Sequence, residues 1–431
     1  MIWHSGMIWH GGMIWHGGKN RIHTVSGWKA CRLWESKAIL LDLRNQAGLR
    51  PGAIEMSQSH PVVIVGGGVI GLSIAWRLAR RGEPVLVLER DTVGRAASRV
   101  AAGMLAAAAE VGFEEPELYG LCRDALREWP AYADALERES GQPLDYRSFG
   151  TLVVADDRDA AEALRRGYRF QEQQGYPVAW LSGAEALERE PMLSPRIVAA
   201  VSVPEDHAID NRALLSALTT AIEKAGGEIR EGIRVDRFDS DRQTPMVEAV
   251  MVASGERITI EASKLVIASG PWASDLEGWP NDQKPSIRPV KGQILELRMR
   301  APFDLQHVVR GPKAYLVPRS DGRLIVGATS EEMGFDARLT VGGVYGVMDG
   351  AWEIVPGILD QDLLHIDVGF RPASRDHQPI VGFTPNPRIF LALGHYRHGI
   401  VLSAITALAA ERMLLDEEDD PRVAAFAPGR F

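Results

Sequence analysis

The sequence predicts an α/β fold: a Rossmann-type wound sheet joined to an α+β domain built on an antiparallel sheet. Three observations predict it. A strand, glycine-rich turn, helix and second strand follow one another between Pro61 and Arg90, in PVVIVGGGVIGLSIAWRLARRGEPVLVLER. Period-two apolar patterns occupy the stretch from Lys284 to Gln361. A second strand, glycine turn and helix, PRIFLALGHYRHGIVLSAITALAAERML, mirrors the first near the end of the chain.

In the opening unit, Val62 to Val65 is a β-branched run suited to a strand buried on both faces. Gly66, Gly68 and Gly71 then form G-x-G-x-x-G. The first allows a tight turn, the second lets the backbone approach a pyrophosphate, and the third lets helix pack on strand. A helix follows from about Val69 to Arg81, with Ile70, Ile74 and Leu78 on one face and Gly82 stopping it. Val85 to Leu88 is the second strand. It delivers Glu89 where a carboxylate can accept from an adenosine ribose. The turn alone is a weak signal, but strand, helix and acid agree around it, so the unit reads as a dinucleotide site. The motif does not separate FAD from NAD.

The first 55 residues read as foreign to this plan. They open with MIWHSG, MIWHGG and MIWHGG in tandem and carry seven Lys/Arg against three Asp/Glu, a charge of +4 that leaves −13 for the rest. One histidine every six residues (His4, His10, His16) fits no compact metal spacing, so no metal is expected. An acid-poor leader can also be a transit peptide. The preferred reading is a non-native or disordered extension, with Met56 as the natural start.

The 376 residues from Met56 suffice for one large core or two domains sharing an interface. Cys31 and Cys122 are the only cysteines, so a disulfide framework is not available and a reducing cytoplasm is expected. The longest apolar run, VAAGMLAAAA, is about half the roughly 20 residues a membrane helix needs. The acidic balance argues against nucleic acid or an anionic membrane as partner.

Beyond Glu89, the Gly, Ala and Ser of RDTVGRAASRVAAGMLAAAAEV leave room for backbone to lie against a bulky ligand. Glu115 to Gly141 is helical in pattern, SFGTLVVA is a strand, and Asp159 to Gln174 is helical again. VAWLS and a helix from about Gly183 to Arg189 follow. In AIDNRALLSALTTAIEKAGGEI, Asn211 can cap a helix and Gly226 can end it. SKLVIASGPWASDL is a buried strand entering a Gly-Pro turn. VKGQILELRM and YLVPRSDGRLIVGAT are strands, with Asp321-Gly322 as a hairpin turn. Tyr315 lies in the first hairpin strand, where an aromatic is ordinarily a packing residue. A helix beginning near Gly399 aims its N-terminus at whatever fills the turn before it.

GGGVIG with Glu89, AAGML, YLVPRSDGRLIVGAT, GFRP and GHYRHGI together resemble the D-amino-acid-oxidase-like flavoproteins, and among them the glycine oxidases of the thiamin pathway, over Val62 to about Leu415. The resemblance implies a glutathione-reductase-like FAD domain in three parts (56–145, 205–283, 362–431). It implies a substrate domain in two (146–204, 284–361). It implies FAD contacts from the three motif glycines, Val69, Ile70, Glu89 and Arg90, then from Ala97, Ser98, Ala102, Gly103 and Met104. Val235 is expected near the adenine, on a strand returning to the nucleotide domain. His395, Tyr396, Arg397, His398, Gly399, Ile400 and Val401 are expected to wrap the flavin ring.

Oxidising an amino acid at a flavin requires the α-hydrogen aimed at the ring and the carboxylate anchored. Arginine suits the second task, because its planar fork binds a carboxylate bidentately and stays charged. By resemblance, Arg371 binds the carboxylate, Arg397 is a second active-site arginine and Tyr315 faces the substrate. The flavin carries the redox work, so no catalytic residue of the chain's own is assigned. Lys313 and Ser330 are expected to face the site at positions where relatives differ. The activity implied is oxidation of glycine, sarcosine or small D-amino acids by oxygen to imine and peroxide, with hand-off of the imine to a thiazole synthase. Oligomeric state is left open. The alternatives are a quinone-linked D-amino-acid dehydrogenase, a tRNA-modifying flavoprotein and a non-catalytic flavin-binding protein.

Overall fold

The computed structural model describes residues 60–110, 112, 115–280, 284–416 and 418–430. The expected leader and the start at Met56 lie outside these. Val62–Val65 is the central strand of a six-stranded sheet, with Val85–Leu88 and Glu228–Arg230 on one side. Lys264–Ile267, Ile389–Leu393 and Ile380–Phe383 lie on the other. All neighbours run parallel except the last pair.

Alternation along the central strand decides what each face meets. Val62 and Ile64 pack on helices Val69–Ala79, Pro116–Ser140, Asn211–Lys224 and Gly399–Glu411. Val63 and Val65 join Leu86, Leu88, Leu265 and Ile267 against a three-stranded antiparallel sheet, Ile233–Asp239, Met246–Met251 and Arg257–Glu261. With both faces covered, every side chain of the central strand is buried, which is why it reads as an unbroken apolar run.

A second, eight-stranded sheet runs in the order 362–373, 288–298, 323–327, 315–318, 308–310, 151–155, 199–203, 179–182. It is antiparallel except where Val308–Arg310 meets Thr151–Ala155. The hairpin expected at Asp321-Gly322 is present, with Tyr315 opposite Gly327 and Gly322 at φ +82°. Helix Val341–Ile354 covers one face through Val347, Ala351 and Ile354.

Two expectations are corrected, on the strand Asp362–Ala373 and on the cap of helix Asn211–Lys224. Asp362–Ala373 pairs along its whole length with Arg288–Arg298, so the strand expected to open the last nucleotide segment belongs to the large sheet, and the chain returns to the small sheet only at Ile380. Val235 stands on the three-stranded sheet that covers one face of the nucleotide sheet, and the Ile233 N–H reaches the Glu89 carbonyl at 2.8 Å. The cap of helix Asn211–Lys224 is Asp210, whose carboxylate accepts from the Arg212 and Ala213 N–H groups. Asn211 instead donates to the Ser98 and Arg99 carbonyls at 2.7 and 2.8 Å.

Candidate active site

A cleft of about 650 Å³ opens where strands of the small sheet meet Gly292, Ile294, Tyr315, Gly369 and Arg371 of the large one. The glycine turn forms one end. Gly66 has φ +111°, and a Cβ there would stand 2.4 Å from the Ala268 carbonyl oxygen, so only glycine fits. Gly68 precedes helix Val69–Ala79 and lines the cleft with Val69 and Ile70. Gly71 does not line it. A Cβ on Gly71 would meet the Gly66 carbonyl oxygen at 2.0 Å, so its place is between helix and turn, and its expected cofactor contact is corrected to a packing role.

Glu89 ties this end together by accepting from the Gly67 N–H at 2.8 Å and the Asp91 N–H at 2.9 Å. Arg90 lies over the Trp272 ring at 4.1 Å, a cation–π contact within the usual reach. The Ser98 hydroxyl accepts from the Val69 N–H at 3.0 Å, at the helix N-terminus. Ala97, Ala102, Gly103, Met104 and Val235 also line the cleft. Buried Arg319 braces this wall by donating to the Ala102 carbonyl at 2.6 Å.

At the other end, His395 to Val401 lead into helix Gly399–Glu411, and all seven line the cleft. The first free N–H groups of that helix carry its partial positive charge. Tyr396 holds φ +46°, with its N–H on the Pro372 carbonyl at 3.0 Å and its ring stacked on His377. Burial pushes both His395 and His398 down to about 3, and for His398 the Arg397 and Arg310 guanidiniums add to this. Both imidazoles are therefore neutral at ordinary pH. His395 Nε2 meets the Thr406 hydroxyl at 3.1 Å.

Tyr315, Arg371 and Arg397 line the same cleft. Arg371 donates to the Thr329 carbonyl at 3.0 Å. Burial pushes the Tyr315 phenol up while the Arg371 and Arg310 guanidiniums pull it back, and the group stays protonated. Lys313 and Ser330, expected to face the site, are not among its lining residues. Lys313 is mostly exposed and paired with Glu353 at 2.9 Å, because it lies on the turn before the hairpin strand and reaches across to helix Val341–Ile354. Trp272, Ser269, Glu110, Arg310 and Arg319 went unread in the sequence. Only Trp272, in the Gly-Pro turn, and Arg319, a cation within an apolar strand pair, left a signal there.

The cleft suits a long dinucleotide with a ring system at one end. Its floor is glycine and alanine backbone, a helix N-terminus meets each end, and arginines stand beside the ring end as receivers for a small anion. That is the class of FAD-dependent oxidoreductases. The chain belongs to the DAO family of FAD dependent oxidoreductases, whose model matches residues 61–413. It is 35% identical to the glycine oxidase of Geobacillus kaustophilus, over 86% of this chain and 97% of that protein. The crystal structure of that enzyme superposes with a TM-score of 0.80, covering 86% of this chain and 99% of the other. The bifunctional protein ThiO/ThiG of Synechocystis is 35% identical over 87% of this chain. The chain spans about half the length of that relative, 55%. Among the described residues, no helix is long and apolar enough to cross a membrane.

Proposed function

We propose that this chain oxidises glycine, and with it sarcosine and small D-amino acids, to the imine. Water then hydrolyses the imine to glyoxylate and ammonia. The observation that carries the reading is the meeting of Arg371 and Tyr315 in the cleft that the His395 to Val401 turn closes. FAD, when bound in this cleft, would supply the two-electron acceptor for the substrate, with oxygen as the final acceptor and peroxide as its product.

The chain's own residues do the rest. The backbone of Gly66, Gly68, Val69 and Ile70 would hold the pyrophosphate, Glu89 and Arg90 the ribose end, and Val235 the adenine. Ala97, Ser98, Ala102, Gly103 and Met104, with the His395 to Val401 turn, would hold the flavin. The N-terminus of helix Gly399–Glu411 favours negative charge there by roughly 0.3 to 2 kcal/mol. Arg371 takes the substrate carboxylate as a fork, with Tyr315 donating beside it and Arg397 at the mouth. On this reading the small sheet and its helices are the cofactor domain, and the large sheet is the substrate domain.

The bifunctional relative ThiO/ThiG supports the reading that the imine is handed to a thiazole synthase, and on this reading the reaction is cytoplasmic and serves thiamin synthesis. The test is peroxide release from the purified, FAD-loaded chain with glycine, sarcosine and D-alanine. Turnover of glycine is the expected result. Reduction of flavin without peroxide would move the acceptor from oxygen to a quinone.

A further inference from the structure

One ion pair at the substrate end has no part in the reaction just described. Arg310 ends strand Val308–Arg310 and stands directly across from Tyr315 in the sheet register. Its partner is Glu110, whose side chain is 8% exposed against 25% for Arg310. Glu110 lines the cleft, and Arg310 is not among its lining residues. The backbone that delivers Glu110 is pinned. Buried Asp206 accepts from the Ala107, Ala108 and Ala109 N–H groups at 3.0, 3.3 and 2.8 Å. Burial and the nearby Arg397 charge push Arg310 down to about 10, and it remains a cation at ordinary pH.

With Glu110 in place, Arg371 and Arg397 are the cations that face the substrate end, and neither has an acidic partner among the described residues. A third cation is present but already holds a carboxylate. We propose that Glu110 is a specificity-determining residue: by occupying Arg310 it stands where a second anionic group of a substrate would bind, and restricts the site to amino acids with one carboxylate. The physical ground is competition and like-charge repulsion at close quarters, which is discrimination by a built-in obstacle. Replacing the carboxylate by its neutral isostere leaves a desolvated guanidinium unpaired, and an incoming carboxylate relieves that state.

This inference rests on the amino-acid oxidase reading, and the experiment separates the two. The full FAD-loaded chain is compared with Glu110→Gln, Arg310→Met and the double variant. Iminodiacetate, which is glycine with a second carboxymethyl group on its nitrogen, and D-aspartate are assayed against glycine. Binding of malonate, a dicarboxylate that cannot react, is followed by the change in flavin absorbance. In Glu110→Gln the dicarboxylate-to-glycine ratio of kcat/KM should rise at least tenfold and malonate should bind at least tenfold tighter, with both gains absent from the double variant. A smaller rise, or a gain that survives in the double variant, overturns the proposal. Where Glu110→Gln does not fold with FAD, Arg310→Met decides. It leaves an unneutralised carboxylate facing the cleft, so malonate should bind at least tenfold more weakly, and unchanged binding overturns the proposal. Failure of the parent chain to turn over glycine would sink the functional reading alone, since the malonate arm needs no turnover.

Discussion

The Arg371 guanidinium occupies the space that a side chain at Gly292 would fill: a Cβ there would stand 2.6 Å from Nη1 and 2.8 Å from Nη2. Strands 288–298 and 362–373 pair at this point, with Val290 opposite Arg371 and Gly292 opposite Gly369. The space over Gly369 is taken by Val100 and that over Gly292 by the Arg371 guanidinium, which lines the cleft. Gly292→Ala should therefore displace the guanidinium without touching the cofactor end. We expect kcat/KM for glycine to fall about tenfold, equivalent to about 1.4 kcal/mol, mostly through KM. Steady-state kinetics with flavin content as the folding control checks this, and an unchanged KM would show that Arg371 moves aside freely.

Arg371→Ala is the more drastic form. Removing the partner of a carboxylate in a closed site costs about 3 to 5 kcal/mol. Catalytic efficiency on glycine should fall by roughly two to three and a half orders of magnitude, with FAD retained. Amines without a carboxylate should lose little. Near-normal glycine turnover would make Arg397 the first candidate for the anchor.

Gly71→Ala tests the packing role assigned above. The added methyl runs into the Gly66 carbonyl oxygen at 2.0 Å, a backbone atom that cannot rotate away as a side chain would. Overpacking of this kind costs about 1 to 3 kcal/mol or more. Because the obstructed atom belongs to the first residue of the turn, FAD affinity should fall together with the melting temperature. A variant that melts early but binds FAD as tightly as the parent would separate the two effects.

The buried histidines set an acid limb. A histidine held at about 3 when folded and 6.5 when unfolded binds fewer protons folded, so its share of stability is full above about 6.5 and is lost as pH falls toward 3. Asp206 runs the other way. Burial raises it from 3.8 to about 6, so its share is full below 3.8 and lost as pH rises through about 6. The two histidines outweigh it, and stability should fall between pH 6 and 5. His395→Asn, which keeps a polar group for Thr406, should lower that slope by about one proton, or about 1.4 kcal/mol per pH unit. Denaturant melts at several pH values measure it, and equal slopes in parent and variant would mean His395 is charged when folded.

Lys313 offers a contrast. Its amine is exposed and engaged with Glu353 on the helix Val341–Ile354 side, outside the cleft. Lys313→Ala should leave kcat/KM for glycine within about twofold, since an exposed pair of this kind contributes little. A larger change would return position 313 to the site.

The opening unit could be read from sequence because its causes are local. Val62 to Val65 is apolar on both faces because helices cover one and a sheet covers the other. Gly71 is demanded by the Gly66 carbonyl five residues before it and Gly66 by its own φ of +111°, to which the distant Ala268 carbonyl adds, and Glu89 closes on the Gly67 N–H at the end of the next strand. The hairpin around Asp321-Gly322 is of the same kind. Arg371, Arg397 and Tyr315 stand in short motifs that carry the family pattern, so they too were visible. What pattern could not supply was contact between residues far apart in the chain. Asp362–Ala373 alternates like any half-buried strand, and only its pairing with Arg288–Arg298 assigns it to the large sheet. Lys313 lies two residues before Tyr315, yet the turn sends it outward. Glu110 and Arg310 meet across 200 residues, one leaving a small-residue segment and the other ending a strand. Period and composition report what a residue needs from its surroundings, whereas the identity of the residue that meets that need is decided by the packing of distant elements.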